Sequence, residues 1–322
     1  MSAVADTPAP ARAHHERRDF FVALILLVAL IAAAPFFAYP FFVMEIMCVA
    51  LFACAFNLLI GYVGLLSFGH AMFFGMASYV AAHCAKEWGF DPLSAISAGV
   101  VVAAAMGLVT GALAIRSKGI YFAMITVALS QMVYFFCVQA PFTHGEDGIQ
   151  SVPQGRAGGL LNLANPQQLY IFVAAVFLLG FLFVYRTVNS PFGEILKAIR
   201  ENEPRAISLG YRVSRYKLAA FVLSAALAGL AGGTKALVVQ NASLSDVSFG
   251  LSGEVVLMTL LGGMGTLYGP VVGAIVVVAM QNYLAQFGEW VTVIQGVVFV
   301  ACVVLFRRGV VGEIAKAAGL SL

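Results

Sequence analysis

The chain has 322 residues, of which 61% are hydrophobic and 10% charged, with a mean hydropathy of +0.95. Soluble domains run near 45–50% apolar and about 25% charged, so a soluble globular protein is excluded, and a net charge of +3 is too small to mark a nucleic-acid binder. Runs such as "FFVALILLVALIAAAPFF" lack the apolar–polar alternation of a membrane barrel; the composition defines an all-α polytopic membrane protein.

A crossing helix needs roughly 20 apolar residues at about 1.5 Å rise each to span about 30 Å of hydrocarbon. Ten segments qualify, in chain order about 20–38, 41–60, 67–85, 93–115, 119–139, 169–185, 217–240, 252–263, 268–287 and 290–306. The eighth is too short to cross alone, and its boundary with the ninth is the weakest. Residues 1–18, rich in Ala and Pro, read as a disordered cytoplasmic tail, 19–310 as the membrane domain with a polar loop at 186–217, and 311–322 as a C-terminal cytoplasmic tail. Arg17 and Arg18 before an apolar run ending in "AAAP" also fit a secretory signal, but the length of the run favours a retained span.

Charge placement sets the orientation. With a cytoplasmic N-terminus and ten alternating spans, fifteen basic residues fall inside: Arg12, Arg17 and Arg18 of the tail, Arg116 and Lys118, the seven from Arg186 to Lys217, and Arg307, Arg308 and Lys316. Only Lys86, Arg156 and Lys235 fall outside. That partition follows the positive-inside bias and would scramble if one span were moved.

Patterns that carry chemistry are scarce. No G-x-x-x-x-G-K-[ST] occurs, and "GLAGGTKA" around Lys235 has the wrong spacing, so nucleotide hydrolysis by this chain is not expected. No G-x-S-x-G elbow is present, and His14 and His15 do not form H-E-x-x-H, so no metal and no cofactor is expected. Cys48, Cys54, Cys84, Cys137 and Cys302 all lie within expected spans and read as small apolar filler. Ionisable residues inside the spans are few: Glu45, His70, His83, Lys235 and Glu254, all but His70 near outer ends where snorkelling reaches water. The lack of a central carboxylate argues against a proton- or sodium-coupled carrier, although such carriers also bind ions with backbone carbonyls at broken helices.

The 32 glycines concentrate at four-residue spacing. Ala103, Gly107 and Gly111 share one helix face, Ala225, Gly229 and Gly233 another, and Gly265, Gly269 and Gly273 run into the ninth span; small residues at this spacing let helix backbones approach closely. A sliding interface is the alternative to tight packing. Two further clusters, "LIGYVGLLSFGH" (Leu59 to His70) and "LLGGMGTLYGP" (Leu260 to Pro270), read as helix breaks. Ser67 and Thr266 suit N-caps and Pro270 a first helical turn. Either the breaks are tight cytoplasmic turns, or their freed backbone groups help line a path for a zwitterionic solute, with Ser67, Gly69, His70, Gly262, Gly265 and Thr266 as candidates.

The one strongly polar stretch is "SPFGEILKAIRENEPRAISLGYRVSRYK", Ser190 to Lys217. Asn189 or Ser190 can cap, Pro191 suits the first helical position, "FGEILKAIREN" can run until Pro204, and "PRAISL" follows until Gly210 supplies a left-handed stop. Two short helices across one membrane face serve either as a surface for a partner or as a helix resting on anionic headgroups.

"GYVGLLSFGHAMFFGMASY", "GEDGI", the stretch from Ser190 to Gly233 and "LLGGMGTLYGPVVGA" occur in that order. Together they resemble the branched-chain amino acid ABC importer permease family, over about Phe41 to Arg308. The resemblance implies that Gly193, Glu194, Ala198, Ile199, Arg200 and Gly210 belong to a surface that couples to an ATPase. It also implies a second homologous permease, two ATP-binding cassette ATPase subunits, a periplasmic binding protein docking on Pro141 to Gln168, membrane lipid around the helices, and location in the bacterial inner membrane. Gln150 and Ser151 depart from the family, where Thr and Gly are frequent. Related permeases also serve urea, amides and aromatic acids, so the solute is open; the alternative is an ion-coupled secondary carrier or channel.

Overall fold

All ten expected apolar segments are helical in the computed structural model, which describes residues 10–159, 161–288, 290–305 and 309–317. In chain order the α-helices are α1 (Pro10–Phe37), α2 (Pro40–Ile60), α3 (Ala71–Lys86), α4 (Pro92–Ala114), α5 (Ile120–Gln139), α6 (Pro166–Val188), α7 (Pro191–Glu201), α8 (Glu203–Ser208), α9 (Val213–Val239), α10 (Phe249–Gly262), α11 (Gly269–Leu284), α12 (Trp290–Leu305) and α13 (Gly309–Ala317). Five of them, α2, α4, α5, α6 and α9, are long and apolar enough to cross a membrane. The 14 residues of α10 rise only about 21 Å.

Local sequence explains where most helices begin. Pro40, Pro92, Pro166, Pro191, Pro204 and Pro270 stand in first turns, where a missing N–H costs nothing. Asn165, Ser190, Asn202 and Ser248 cap their helices by accepting from backbone N–H groups.

Burial separates centre from rim. The most apolar stretch of α2 is 72% buried and that of α9 67%, against 33% for α4 and 28% for α5. The first two therefore form the packed axis, with α3 beside them, while α4 and α5 expose Val101, Leu108, Met124 and Phe135 outward. The small-residue stripes of α4 and α9 meet each other in antiparallel register. A Cβ on Gly107 would collide with Ala225, one on Gly229 with Ala103, and one on Gly111 with Phe221. Sequence spacing shows each stripe but not that one is the other's partner. The third stripe closes α11 against α10, where Gly273 lies under the Met258 carbonyl.

At the end of the bundle away from α7 and α8, Ile149–Gln150 pairs antiparallel with Asn241–Ala242. Gly148, with φ +66°, brings its backbone against the Ala242 carbonyl, so any side chain there would push the strands apart. The Lys86 ammonium donates to the Gln150 carbonyl at 2.9 Å. Ser151 holds φ +56°. Lys235 does not snorkel to water as its position suggests: its Nζ meets Asp246 Oδ1 at 2.7 Å and Oδ2 at 2.9 Å. The carboxylate sits six residues past the expected seventh span and reaches the amine only through the fold.

Several boundaries differ from the expected ones. The expected tail 1–18 is helical from Pro10, because the Ala and Arg residues before the apolar run are good helix formers; residues 1–9 lie outside the described set. The third helix begins at Ala71 rather than near 67, since the break extends through His70. The expected tail 311–322 is helical through Ala317 as the end of α13, whose first residue, Gly309, packs on Gly262 and Gly263. Arg307 and Arg308 lie outside the described residues. Cys48, Cys54, Cys84 and Cys137 are free and buried, consistent with filler; the Cys302 side chain is outside the described set.

Candidate functional site

The polar loop folds as two short helices held by their own sequence. The Ser190 hydroxyl accepts from Gly193 N at 3.3 Å and opens α7. The helix is amphipathic: Leu196 and Ile199 are buried, while Glu194 and Ala198 face outward. Ile199 packs with Ala206 of α8 and Val213 of α9 in a small cluster of its own. Asn202 adopts an extended backbone, ends α7 and caps α8, so the two helices separate two residues before Pro204. Gly210, at φ +88°, turns the chain into α9, a geometry that strains any residue with a Cβ.

Glu203 fastens this loop to two neighbours. Its Oε2 lies 3.2 Å from Lys217 of α9 and 3.3 Å from Lys118 between α4 and α5. Burial alone would raise its carboxyl; the hydrogen bonds and charges of Lys217 and Lys118 outweigh burial and hold it below the usual carboxylate range. A depressed folded-state pKa stabilises above the unfolded carboxylate value and loses that contribution as pH falls through the folded one. Glu203→Gln is therefore expected to lower thermal stability at pH 7 by about 1 kcal/mol, the scale of a partly solvated pair. The gap to wild type should shrink as the pH drops below 4, measured as melting temperature against pH.

Arg200 reaches from the end of α7 into both glycine breaks. Its guanidinium donates to the Gly61 carbonyl. Its stem passes Gly64, and a Cβ on Gly265 would fall 3.1 Å from the same guanidinium nitrogen. Asn57, one turn before the first break, locks the two breaks together: its Nδ2 donates to the Thr266 carbonyl at 2.8 Å and its Oδ1 accepts from Gly265 N at 3.0 Å. The N-cap of α11 is Tyr268 rather than the expected Thr266; the Thr266 hydroxyl stands two residues earlier, accepting from Gly269 N at 3.1 Å and donating to the Gly263 carbonyl at 2.8 Å. Gly262 packs on the Gly269 carbonyl.

The far edge of the first break differs. Ser67 does not cap α3. Its hydroxyl is buried without a partner, and the first amide of α3, Ala71 N, is met instead by Ser252 of α10 at 3.0 Å. The sequence offers no hint of this, because the cap comes from 181 residues away. Gly69 lies against the Thr126 carbonyl of α5. His70 is fully buried among Phe52, Phe56, Phe73 and Phe221, with Nε2 at 2.9 Å from Ser224 Oγ. Since the Ser224 hydroxyl proton goes to the Ala55 carbonyl, His70 donates to Ser224 from Nε2, and its Nδ1 is buried without a hydrogen-bond partner.

The six residues expected on the coupling surface thus divide. Glu194, Ala198 and Gly210 are exposed, Gly193 and Ile199 anchor the helix inward, and Arg200 links to the breaks. Of the six expected path residues, Gly262, Gly265 and Thr266 gather at the second break, while Ser67, Gly69 and His70 lie at the far edge of the first. Asn57, Ser224, Ser252 and Glu203 were not anticipated. Asn57 alone had a signal, as a lone amide in an apolar helix one turn before a glycine.

An all-helical polytopic bundle, with a charged two-helix loop bonded to glycine-broken helices, is the architecture of a multi-pass membrane protein with a handle on one face. The chain belongs to the family described as the permease component of branched-chain amino acid transport systems, whose model matches residues 39–303. It is 28% identical over 276 residues to the high-affinity branched-chain amino acid transport system permease protein LivM of Escherichia coli (strain K12), covering 79% of this chain and 65% of that one. The Salmonella typhimurium protein of the same name is 27% identical over the same shares. A probable branched-chain amino acid transport permease protein LivM of Methanocaldococcus jannaschii is 26% identical over 58% of this chain and 55% of its own. The chain thus spans about 65% of the length of the first two curated relatives. No solved structure matches it significantly.

Proposed function

We propose that the chain is the permease subunit of an ATP-binding cassette importer. In this reading it sits in a bacterial inner membrane with both termini cytoplasmic and moves branched-chain amino acids or related small polar solutes inward. It works beside a homologous second permease, two ATPase subunits and a periplasmic binding protein. The observation that carries the reading is Arg200: one side chain on the charged loop bonds one glycine break and lies beside the other, which Asn57 ties to the first. A push on the exposed Glu194, Ala198 and Gly210 would reach both breaks through a single rigid element. The binding protein is assigned to the opposite end, on Pro141 to Gln168, where Gly148 and the short strand pair give a shaped surface.

The test is reconstitution. The chain alone in liposomes is expected to move no leucine, with or without a proton or sodium gradient. With the second permease, the ATPases and the binding protein, ATP should drive leucine accumulation. Flux by the chain alone along an ion gradient would replace this reading with a self-sufficient carrier or channel.

A further inference from the structure

Two adjoining hollows run along the flank of α9 beside α4 and α7. The first, about 420 Å³, lies at the loop end and is walled by Gly210, Tyr211, Arg212, Arg215 and Tyr216. The second, about 460 Å³, continues along the helix between Leu108, Leu218, Val222 and Leu223 and is almost wholly apolar. They share Phe192, Arg215 and Ala219, so one continuous groove changes from polar to apolar at the point where the apolar run of α9 begins.

The charges at the polar end are unspent. Among the described residues no carboxylate pairs with Arg212 or Arg215. Glu203 is occupied by Lys217 and Lys118, and Glu194 by Lys197. Phe192 stacks on Tyr216 at 5.9 Å and Tyr211 meets Tyr216 edge-on, so two tyrosines and a phenylalanine line the same hollow as the two arginines. Arginine presents a planar fork of donors that matches phosphate oxygens, and aromatic residues with polar tips favour the membrane interface.

We propose that this groove is a binding site for one anionic phospholipid. The headgroup phosphate lies between Arg212 and Arg215, and an acyl chain lies along Leu108, Leu218, Val222 and Leu223. A free phosphate would satisfy the arginines and leave the apolar half unfilled. A zwitterionic lipid would fill the apolar half but bring a cation toward two unpaired guanidiniums. An anionic lipid matches both halves at once. Because Phe192 follows Pro191 at the start of α7 and Gly210 ends the two-helix loop, the bound lipid would wedge against both ends of that loop.

The full chain, purified in neutral detergent and stripped of lipid, is titrated with phosphatidylglycerol, phosphatidylcholine and inorganic phosphate. Native mass spectrometry reads lipid retained per chain, and thermal melting reads stabilisation. One phosphatidylglycerol should be retained and should raise the melting temperature, while phosphatidylcholine and phosphate should do neither. Arg212→Gln with Arg215→Gln is expected to weaken phosphatidylglycerol binding roughly 30-fold. Ala219→Trp keeps both charges but fills the junction, and should abolish retention. The double lysine variant, Arg212→Lys with Arg215→Lys, keeps the charge and should retain lipid more weakly than wild type and more tightly than the glutamine pair; it carries the test if the glutamine pair fails to fold. Equal retention by wild type and the variants overturns the proposal. So does equal binding of phosphatidylcholine, which would mark an apolar groove only, or stabilisation by phosphate alone, which would mark an anion site. Solute uptake is not a readout, so failure here leaves the transport reading untouched.

Discussion

Gly193→Ala is expected to cut solute uptake by the assembled transporter about 5- to 150-fold, the range that an overpacking strain of about 1–3 kcal/mol implies, while the chain stays at normal levels in the membrane. A Cβ at Gly193 would overlap the Val188 carbonyl and crowd the Thr187 carbonyl, both backbone atoms at the end of α6 that cannot swing aside. The first turn of α7 must then lift. Arg200 stands seven residues on, about 10 Å along the helix, so a lift at one end tilts the guanidinium away from Gly61 and Gly265 at the other. Gly193→Leu should be worse. Uptake of labelled leucine, normalised to membrane level by immunoblot, reads the result. Full uptake in both variants would mean that α7 need not seat on α6.

Arg200→Ala should separate ATP hydrolysis from transport. The side chain is largely outside the core, and its loss removes one hydrogen bond to Gly61, so the cost in stability is about 1 kcal/mol. Transport should nevertheless fall more than about tenfold, because the loop would keep its fold and lose its hold on the breaks. Hydrolysis by the associated ATPases should persist. Asn57→Ala complements this test. It leaves Gly265 N and the Thr266 carbonyl without their partner, at about 1–3 kcal/mol, and frees the breaks from each other. If the two residues act on one element, the double variant should transport no worse than the weaker single variant. Additive losses would assign them to independent tasks, and wild-type uptake in Arg200→Ala would remove the link between loop and breaks.

Much of the architecture was legible because its signals are local. Apolar length marked ten helical segments, prolines marked first turns, and Ser190 with Pro191 marked the start of α7. Where reading failed, the deciding group was distant. Ser67 has the right residue type and position for a cap, yet Ser252 supplies it. Lys235 looks like a snorkelling cation, yet Asp246 turns back to meet it. The segment from 311 looks like a tail, yet it continues a helix whose first residue, Gly309, packs on the second glycine break.

The candidate site divides in the same way. The helices of the polar loop, the stop at Gly210 and the first-turn place of Pro270 follow from residue type and spacing within a few positions. The bond from Arg200 to Gly61, the Asn57 bridge and the burial of His70 under Ser224 join residues between 139 and 209 positions apart.

By itself the sequence determined a membrane-embedded helical bundle, its helix starts, its glycine stripes and a single polar handle, since hydrophobicity, periodicity and backbone preference act over a few residues. Tertiary structure alone decided which stripe faces which, which side chain satisfies which buried backbone group, and that the handle is bonded to the first break while Asn57 ties that break to the second. Those choices rest on close packing and hydrogen-bond satisfaction between segments far apart in the chain, where lipid offers backbone groups no substitute partner.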